Sequence, residues 1–132
     1  MWFISKLFAG LDMNSSTKLL SAWVSDEQIA NLCHKIVDHF QPEKIILFGS
    51  YGYGTPQEWS DVDLLIVMNF QGRAIDVILN ISHETRPEFS VDFIIKSPQE
   101  IQWRYEQFDL LVRMAVDRGK VLYESSCSSV AE

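Results

Sequence analysis

Cysteine is scarce in this sequence of 132 residues, which has only Cys33 and Cys127. Two cysteines cannot build the disulfide framework of a small secreted domain, so we expect a reducing, cytoplasmic setting. Lysine and arginine are also few, at 11 against 18 acidic residues, and the net charge is −7. A domain that holds nucleic acid through its phosphates ordinarily has a basic excess or a basic patch. Direct nucleic-acid binding is therefore not expected.

Long apolar runs of the kind that cross a bilayer are missing as well. The apolar start of the chain is interrupted by Lys6, is far too short for a membrane span and leads to no small-residue cleavage pattern. We therefore expect neither a membrane anchor nor a signal peptide. Met13 offers an alternative start, so residues 1–24 are interpreted as a poorly defined N-terminal extension and residues 125–132 as a frayed tail.

The residues between these ends have the composition of one globular domain, which we place at 25–124. Hydrophobic residues make up 47% of the chain and aromatic residues 12%, and the length leaves room for a single core. Apolar runs of strand length alternate with stretches of helical periodicity, which indicates an α/β sheet. The predicted strands are 44–48, 62–68, 89–96 and, at an edge, 120–123; the predicted helices run from Ser25 to about Gln41, from Gly72 to about Ile81 and from Ser97 to Gly119.

The last predicted helix has two apolar faces. One face is expected in the core, and the roughly opposite face carries a narrow stripe of Trp103, Leu110 and Met114. We interpret the stripe as a docking surface for a protein partner, and burial by the chain's own N-terminal segment is the alternative. The expected core residues of this helix are Ile101, Tyr105, Phe108, Leu111, Val112 and Ala115, and the apolar residues at helical spacing in the preceding helix are Ile75, Ile78 and Leu79.

The first candidate site feature is Phe48-Gly49-Ser50, where the first strand passes into a turn and a short helix. Unpaired backbone N–H groups and the Ser50 hydroxyl can hold phosphate oxygens there, and glycine lets the backbone come close. An ordinary turn is the alternative, because Gly-Ser commonly follows a strand. Alone, this motif is weak evidence for a phosphate site.

Two acids open the second strand, in the run Ser60-Asp61-Val62-Asp63. Alternation along a strand puts both carboxylates on one face, where they can bind one cation. Carboxylates together with substrate phosphates are the usual ligands of Mg²⁺. The alternative is that Asp61 caps a turn and that only Asp63 requires a partner.

A third acid, Asp92, lies between Val91 and Phe93 in the third strand, where an unpaired buried carboxylate is costly. An ion pair with Lys96, on the same face of the strand, is one explanation. The other is that this strand lies beside the strand of Asp63, so that three carboxylates converge. Such a cluster suits a two-metal site for phosphoryl displacement.

Together these motifs resemble the nucleotidyltransferase superfamily that includes DNA polymerase beta and kanamycin nucleotidyltransferase, and most closely its minimal nucleotidyltransferases. The likeness is carried by Gly49-Ser50, ten intervening residues, Asp61-x-Asp63 and a third acid on a later strand, and it extends from about Ser25 to Glu124. The resemblance implies the nucleotidyltransferase fold, which is α/β (α+β) with a small mixed β-sheet flanked by helices.

The resemblance also implies roles for five residues. Gly49 and Ser50 would bind the β- and γ-phosphates of a nucleoside triphosphate. Asp61 and Asp63 would coordinate two Mg²⁺ ions. Asp92 would complete the metal site, face the acceptor hydroxyl and assist its deprotonation.

The chain departs from this family directly after Ser50, where many relatives have a basic residue and this sequence has Tyr51-Gly52. The charge of the triphosphate would then be met by metals, backbone N–H groups and Arg73. This departure bears on the rate of turnover rather than on the fold.

Members of this family are commonly encoded beside a HEPN-domain ribonuclease and act as its antitoxin, some by transferring AMP to a tyrosine of the toxin. The resemblance therefore implies a Mg²⁺-dependent enzyme that moves a nucleotidyl group, AMP from ATP, to a hydroxyl of a HEPN-type partner protein. An antitoxin that neutralises its partner by contact alone is the first alternative. A nucleotidyltransferase acting on an antibiotic is the second, although the length leaves little room for its acceptor pocket. The preferred base and the oligomeric state, homo- or hetero-oligomer, stay open.

Overall fold

The computed structural model describes residues 23–58 and 60–125. The expected N-terminal extension up to residue 22 and the expected tail from residue 126, with Cys127, lie outside the described residues. In chain order the elements are α1 (Asp26–Phe40), β1 (Lys44–Phe48), α2 (Gly49–Tyr53), β2 (Val62–Val67), α3 (Ala74–Thr85), β3 (Val91–Lys96), α4 (Pro98–Glu106), α5 (Leu110–Arg118) and β4 (Lys120–Glu124).

The four strands form one sheet in the order β3-β2-β1-β4. β1 pairs antiparallel with both β2 and β4, whereas β2 pairs parallel with β3. A parallel pair requires a crossover connection, and α3 supplies it between β2 and β3. The predicted fold class, a small mixed sheet flanked by helices, is confirmed.

One face of the sheet is covered by α1 and α3. α1 begins at the predicted capping box, in which Ser25 Oγ accepts from the Gln28 N–H and Gln28 Oε1 accepts from the Ser25 N–H. The apolar side chains of both helices recur at helical spacing and meet alternate side chains of the strands. The buried residues of this main core are Ile29, Leu32, Cys33, Ile36, Ile45, Leu47, Val62, Leu64, Ile66, Ile81, Val91, Phe93 and Ile95.

The opposite face of the sheet carries α4 and α5. A smaller apolar cluster lies there, to which α5 contributes Ala115 and against which Ile101 of α4 packs. Alternation along β2 places Asp63 on the same face as Leu65 and Val67. This second face therefore combines a small apolar cluster with the acidic residues. The buried members of the cluster are Ile46, Phe48, Leu65, Val67 and Ala115.

The stretch predicted as one helix from 97 to 119 is two helices, with a break at 107–109. At the break, Phe108 adopts a left-handed backbone conformation with φ 62°. Asp109 then begins α5 as its N-cap, and its Oδ1 accepts from the Val112 N–H at 3.2 Å. Capping by Asp109 therefore starts a new helix instead of letting one helix continue through this stretch.

This break changes which side chains the last two helices bury. Phe108 is 71% exposed and Leu111 is 41% exposed, so the prediction that both belong to the core is wrong. Helical spacing counted through the break does not hold, because the two segments share no continuous run of backbone hydrogen bonds. Of the other predicted core residues, Val112 and Ala115 are buried, and Ile101 and Tyr105 are partly buried.

α3 continues to Thr85, past the predicted end at Ile81. Its buried face lies in its C-terminal half, where the Thr85 hydroxyl donates to Ile81 O at 2.7 Å and is thereby satisfied in the core. Ile75 and Leu79 are exposed at 50% and 57%. The apolar spacing therefore predicted the helix but not its buried face.

The ends of the described ranges are bound to the rest of the fold. The Val24 N–H donates to the Tyr51 hydroxyl at 2.9 Å, and the Ser125 N–H donates to Glu43 O at 2.8 Å. The hydrogen bonds of the domain thus extend one residue past each predicted boundary. Among the described residues, no helix is both long and apolar enough to cross a membrane.

Candidate functional site

The sheet topology brings three chain segments to one edge. Because β1 is antiparallel to β2 while β3 is parallel to it, the end of β1 meets the beginnings of β2 and β3. Gly49 follows the end of β1, Asp61 and Asp63 flank Val62, the first residue of β2, and Asp92 is the second residue of β3. The edge therefore joins the glycine-serine turn to all three candidate acids. We call it the carboxylate edge.

Asp63 and Asp92 lie directly opposite each other in the parallel register of β2 and β3. Their carboxyl groups share a hydrogen bond. This adjacency was predicted from the sequence and is confirmed. Lys96, the alternative partner of Asp92, instead forms an ion pair with Glu100 at 3.7 Å.

Burial and the neighbouring acids raise the pKa of Asp63. Its pKa is raised from 3.8 to about 6, chiefly because burial disfavours the charged form, and further by the negative charges of Asp92 and Asp61 and by the hydrogen bond to Asp92. Two carboxyl groups can form a hydrogen bond only when one of them carries a proton. The pair is therefore arranged to share a proton or to hold a cation in its place.

Asp61 lies one residue before β2 and is exposed to solvent. The turn that precedes it is closed by Ser60, whose Oγ accepts from the Gln57 N–H at 2.8 Å, rather than by Asp61 as the alternative had it. Within residues 23–58 and 60–125, no three Asp, Glu, His or Cys side chains stand at the spacing of a complete metal cage. The protein thus offers a close pair of carboxyls with a third acid beside it.

Gly49 lies against this pair and requires the absence of a side chain. Its backbone is left-handed, with φ 69°, and a Cβ atom at this position would collide with Asp63 Oδ2. The single helical turn α2 follows, and its end is closed by the Thr55 N–H, which donates to Ser50 O at 2.9 Å. The turn at Gly49-Ser50 therefore lies directly beside the Asp63 carboxylate.

The expected phosphate contact of Arg73 is wrong. Arg73 follows the far end of β2, and its guanidinium donates twice to the Asp76 carboxylate, at 3.1 Å for each bond. A six-residue strand spans about 20 Å at about 3.3 Å per residue, so the two ends of β2 serve different edges of the sheet.

Sequence reasoning missed two residues beside the carboxylate edge. The Arg118 guanidinium carbon lies 5.3 Å from the ring centroid of Tyr53, which belongs to α2. No local pattern links them, because the contact depends on how α5 ends against α2. The one sequence signal was the run Tyr51-Gly52-Tyr53, which stands where many relatives have a basic residue and which includes the aromatic ring that Arg118 contacts.

A groove of about 350 Å³ lies on the other face, between α1 and β4, and Cys33 and Lys120 are among the residues that line it. None of the candidate site residues lines this groove. Burial raises the pKa of the Cys33 thiol to about 11, so it stays protonated at neutral pH and is a poor nucleophile.

Comparison with known proteins gave matches in sequence and in structure. A family model described as a nucleotidyltransferase domain matches residues 29–122, which is more than half of the chain. A search of curated proteins gave no match.

Three solved structures illustrate the likeness in fold. A chain of a toxin–antitoxin complex with AMP-PNP has a TM-score of 0.52 at 20% identity, over 82% of this chain and 80% of that one. A chain of a substituted toxin–antitoxin MntA-HpeT has a TM-score of 0.53 at 20% identity, over 83% and 80%. A putative nucleotidyltransferase from Sulfolobus solfataricus has a TM-score of 0.53 at 15% identity, over 91% and 87%.

Proposed function

The chain belongs to the nucleotidyltransferase family, and on that premise we propose that it transfers AMP from ATP to a hydroxyl group of a partner protein. The observation that carries the proposal is the hydrogen-bonded pair Asp63 and Asp92 directly beside the turn at Gly49. Nucleotidyl transfer needs oxygen ligands for a cation next to a place where phosphates can approach the backbone. This edge supplies both.

Gly49 and Ser50 bind the β- and γ-phosphates in this proposal. The missing side chain at Gly49 lets the Asp63 carboxylate lie directly against this turn, and the partly buried Ser50 adds a hydroxyl donor. The close approach of Gly49 to Asp63 keeps the phosphates next to the carboxyl pair. Phosphates held at Gly49-Ser50 beside the carboxyl pair are positioned before the reaction, and such positioning is a large part of catalysis in phosphoryl transfer.

The carboxylates Asp61, Asp63 and Asp92 fit two Mg²⁺ ions by their chemistry. Mg²⁺ is commonly held by one or two carboxylates together with substrate phosphates rather than by a complete protein cage, which agrees with a carboxyl pair that has a third acid nearby. When bound, Mg²⁺ would neutralise negative charge on the triphosphate and on the leaving pyrophosphate.

Asp92 faces the acceptor and takes its proton. The acceptor oxygen bonds to the α-phosphorus, the bond between that phosphorus and the bridging oxygen of pyrophosphate breaks, and the hydroxyl proton passes to the Asp92 carboxylate. Asp92 is exposed and therefore accessible to a hydroxyl from outside the domain.

The proposed partner is a HEPN-type toxin, for which this chain is the antitoxin. The proposal is supported by the shared fold with chains of toxin–antitoxin complexes, one of which contains AMP-PNP. It is also supported by exposed Trp103 and Leu110, on the helices that cover the same sheet face as the carboxylates. A reducing, cytoplasmic setting belongs to the same proposal, in line with the free thiol of Cys33.

The test is transfer of label from ATP to the protein encoded beside this one. With α-labelled ATP and Mg²⁺, the wild-type chain should attach label covalently to the partner, and γ-labelled ATP should leave none. Asp63→Asn should reduce transfer by about a hundredfold or more, since it removes a charged ligand from the site. Asp76→Asn, which removes an acid at the opposite sheet edge, is the matched control and should retain transfer.

Two results would contradict this proposal. Tight binding of the partner without any transferred label would favour the antitoxin that acts by contact alone. Equal transfer by the wild type and Asp63→Asn would separate the activity from the carboxylate edge.

A further inference from the structure

The carboxylate edge lacks positive charge, and the segment from Ser50 to Asp63 supplies none. A triphosphate brings several negative charges to three acids, and the chain has no lysine or arginine between Ser50 and Asp63. The nearest basic residue farther along, Arg73, serves the opposite edge and is bound to Asp76. A cation from another part of the fold has to approach this turn.

Arg118 is placed to do so, because the end of α5 is fixed close to β1. Gly119 follows it, and a Cβ atom there would collide with Ala115 O and with the Ile46 side chain. Lys120 then pairs with Leu47, the penultimate residue of β1. The absence of a side chain at Gly119 thus lets α5 end against the last residues of β1, next to the Gly49-Ser50 turn.

The Arg118 guanidinium lies over the ring of Tyr53, with 5.3 Å between its central carbon and the ring centroid. Tyr53 stands three residues after Ser50 in α2, so the two side chains lie on neighbouring positions of one helical face. The Tyr53 ring packs against the apolar cluster of the acid-bearing sheet face. The ring therefore holds the cation against the helical turn that contains Ser50, on the same sheet face as Asp63.

The charge of Arg118 is also available. Four other cations of the described ranges are paired with carboxylates: Arg73 with Asp76, Arg104 with Glu100 and Asp109, Lys44 with Glu124, and Lys96 with Glu100. Lys35 and Arg113 donate to backbone carbonyls instead, and Arg86 and Lys120 have no carboxylate among the ion pairs of these ranges. In those same ranges Arg118 enters no ion pair. Stacking on an aromatic ring engages the face of a guanidinium and leaves its N–H groups free to donate in the plane, where they match two phosphate oxygens.

We propose that Arg118 is a phosphate-binding residue, whose guanidinium is held on the Tyr53 ring and donates to the terminal phosphates of a triphosphate bound at Gly49-Ser50. The inference rests on the proposed function and deepens it by naming the side chain that replaces a basic residue in the turn. Tyr53 acts through Arg118 and is a positioning residue.

The test is titration calorimetry of the full chain with sodium tripolyphosphate and, separately, with ATP, both with Mg²⁺ in excess. Arg118→Ala should weaken the binding of both ligands about tenfold or more, as loss of a charge-assisted hydrogen bond does. Arg118→Lys should lose less, because the charge remains while the planar fork is lost. Tyr53→Leu should weaken tripolyphosphate binding in the same direction. Arg73→Ala removes the same charge at the opposite edge and should bind both ligands like the wild type.

Unchanged affinity in Arg118→Ala would overturn the inference, and so would an equal loss in Arg73→Ala, which would show an effect of net charge alone. If the wild type binds tripolyphosphate through Arg118 but does not bind ATP, the phosphate site stands and the proposed function falls. If it binds neither ligand, both fall. Melting curves without ligand check that each variant is folded. Arg118 is exposed, so we expect its substitutions to leave the fold intact.

Discussion

Asp63 is the residue whose ionised carboxylate the proposed metal site needs but whose surroundings make that charge destabilising for the fold. It is partly buried on the acid-bearing face, faces Asp92 across the strand pair and has a pKa of about 6. A side chain selected for stability alone would not place a carboxyl beside two others. Without a cation, the ionised form of Asp63 is therefore a cost to the folded state.

This cost predicts an unusual pH dependence for the metal-free protein. Since the pKa of Asp63 is higher in the folded state than its ordinary 3.8, its contribution to stability is fully present below about pH 4 and is lost as the pH rises through about 6. In a chelating buffer, Asp63→Asn should raise the free energy of unfolding at pH 7.5 by about 1 kcal/mol, a figure reduced for solvent screening. The gain should vanish near pH 4.

Urea denaturation between pH 4 and pH 7.5 measures this effect. Asp76→Asn, whose carboxylate is exposed and paired with Arg73, is the control and should show no such gain. A variant Asp63→Asn that is less stable than the wild type at pH 7.5, or whose gain is the same at both pH values, would contradict the assigned cause.

At the scale of single residues, the sequence predicted which acids lie together but not the contact between Arg118 and Tyr53. Alternation along the chain puts Asp61 and Asp63 on one face, and a lone acid among apolar residues drew attention to Asp92. Asp92 is exposed, however, so the expected cost of burying its carboxylate does not arise. Arg118 carries no such sign. Its contact with Tyr53 arises only after α2 and α5 have packed at the same strand end, and local periodicity contains no information about that packing.

At the scale of elements, the break between α4 and α5 is the main departure from prediction. The apolar spacing from Ile101 to Ala115 fits one helix, but Asp109 supplies an N-cap and its Oδ2 accepts from Arg104 at 3.1 Å. Those hydrogen bonds stabilise the break, while Phe108 adopts the left-handed conformation that it requires. Two short helices result, and apolar side chains that one helix would have buried are exposed.

The same break alters the proposed docking surface without removing it. Trp103, Leu110 and Met114 are 58%, 77% and 36% exposed, but they belong to two helices instead of one continuous stripe. Trp103→Ala should weaken association with the proposed HEPN-type partner by about 2 kcal/mol or more, as removal of an aromatic anchor commonly does. ATP binding should be unchanged, because Trp103 is not among the residues of the carboxylate edge.

Titration calorimetry of the two proteins measures this change, with Leu79→Ala as the matched control. Leu79 is exposed to a similar degree, at 57%, but lies on α3 at the other face of the sheet. Wild-type affinity in Trp103→Ala would exclude this surface as the docking site. A large loss of stability in the same variant would instead assign Trp103 to an internal contact.

At the scale of the whole molecule, the strand order determines where chemistry can occur. Alternation of strands and helices predicted an α/β sheet, and a resemblance to known proteins was needed to expect a mixed one. The helical turn α2 connects β1 and β2 as antiparallel neighbours, whereas α3 makes β2 and β3 parallel. Only this combination brings the turn at Gly49 and the acids of two strands to the same edge.

The most direct test of that edge as a metal and triphosphate site is thermal unfolding with and without Mg²⁺ and ATP. Together the two ligands should raise the melting temperature of the wild type by about 5 °C or more when ATP exceeds its Kd about a hundredfold. Asp61→Asn and Asp63→Asn should each lose this shift while remaining folded, and Asp76→Asn should keep it. Retention of the full wild-type shift by both site variants would contradict the account.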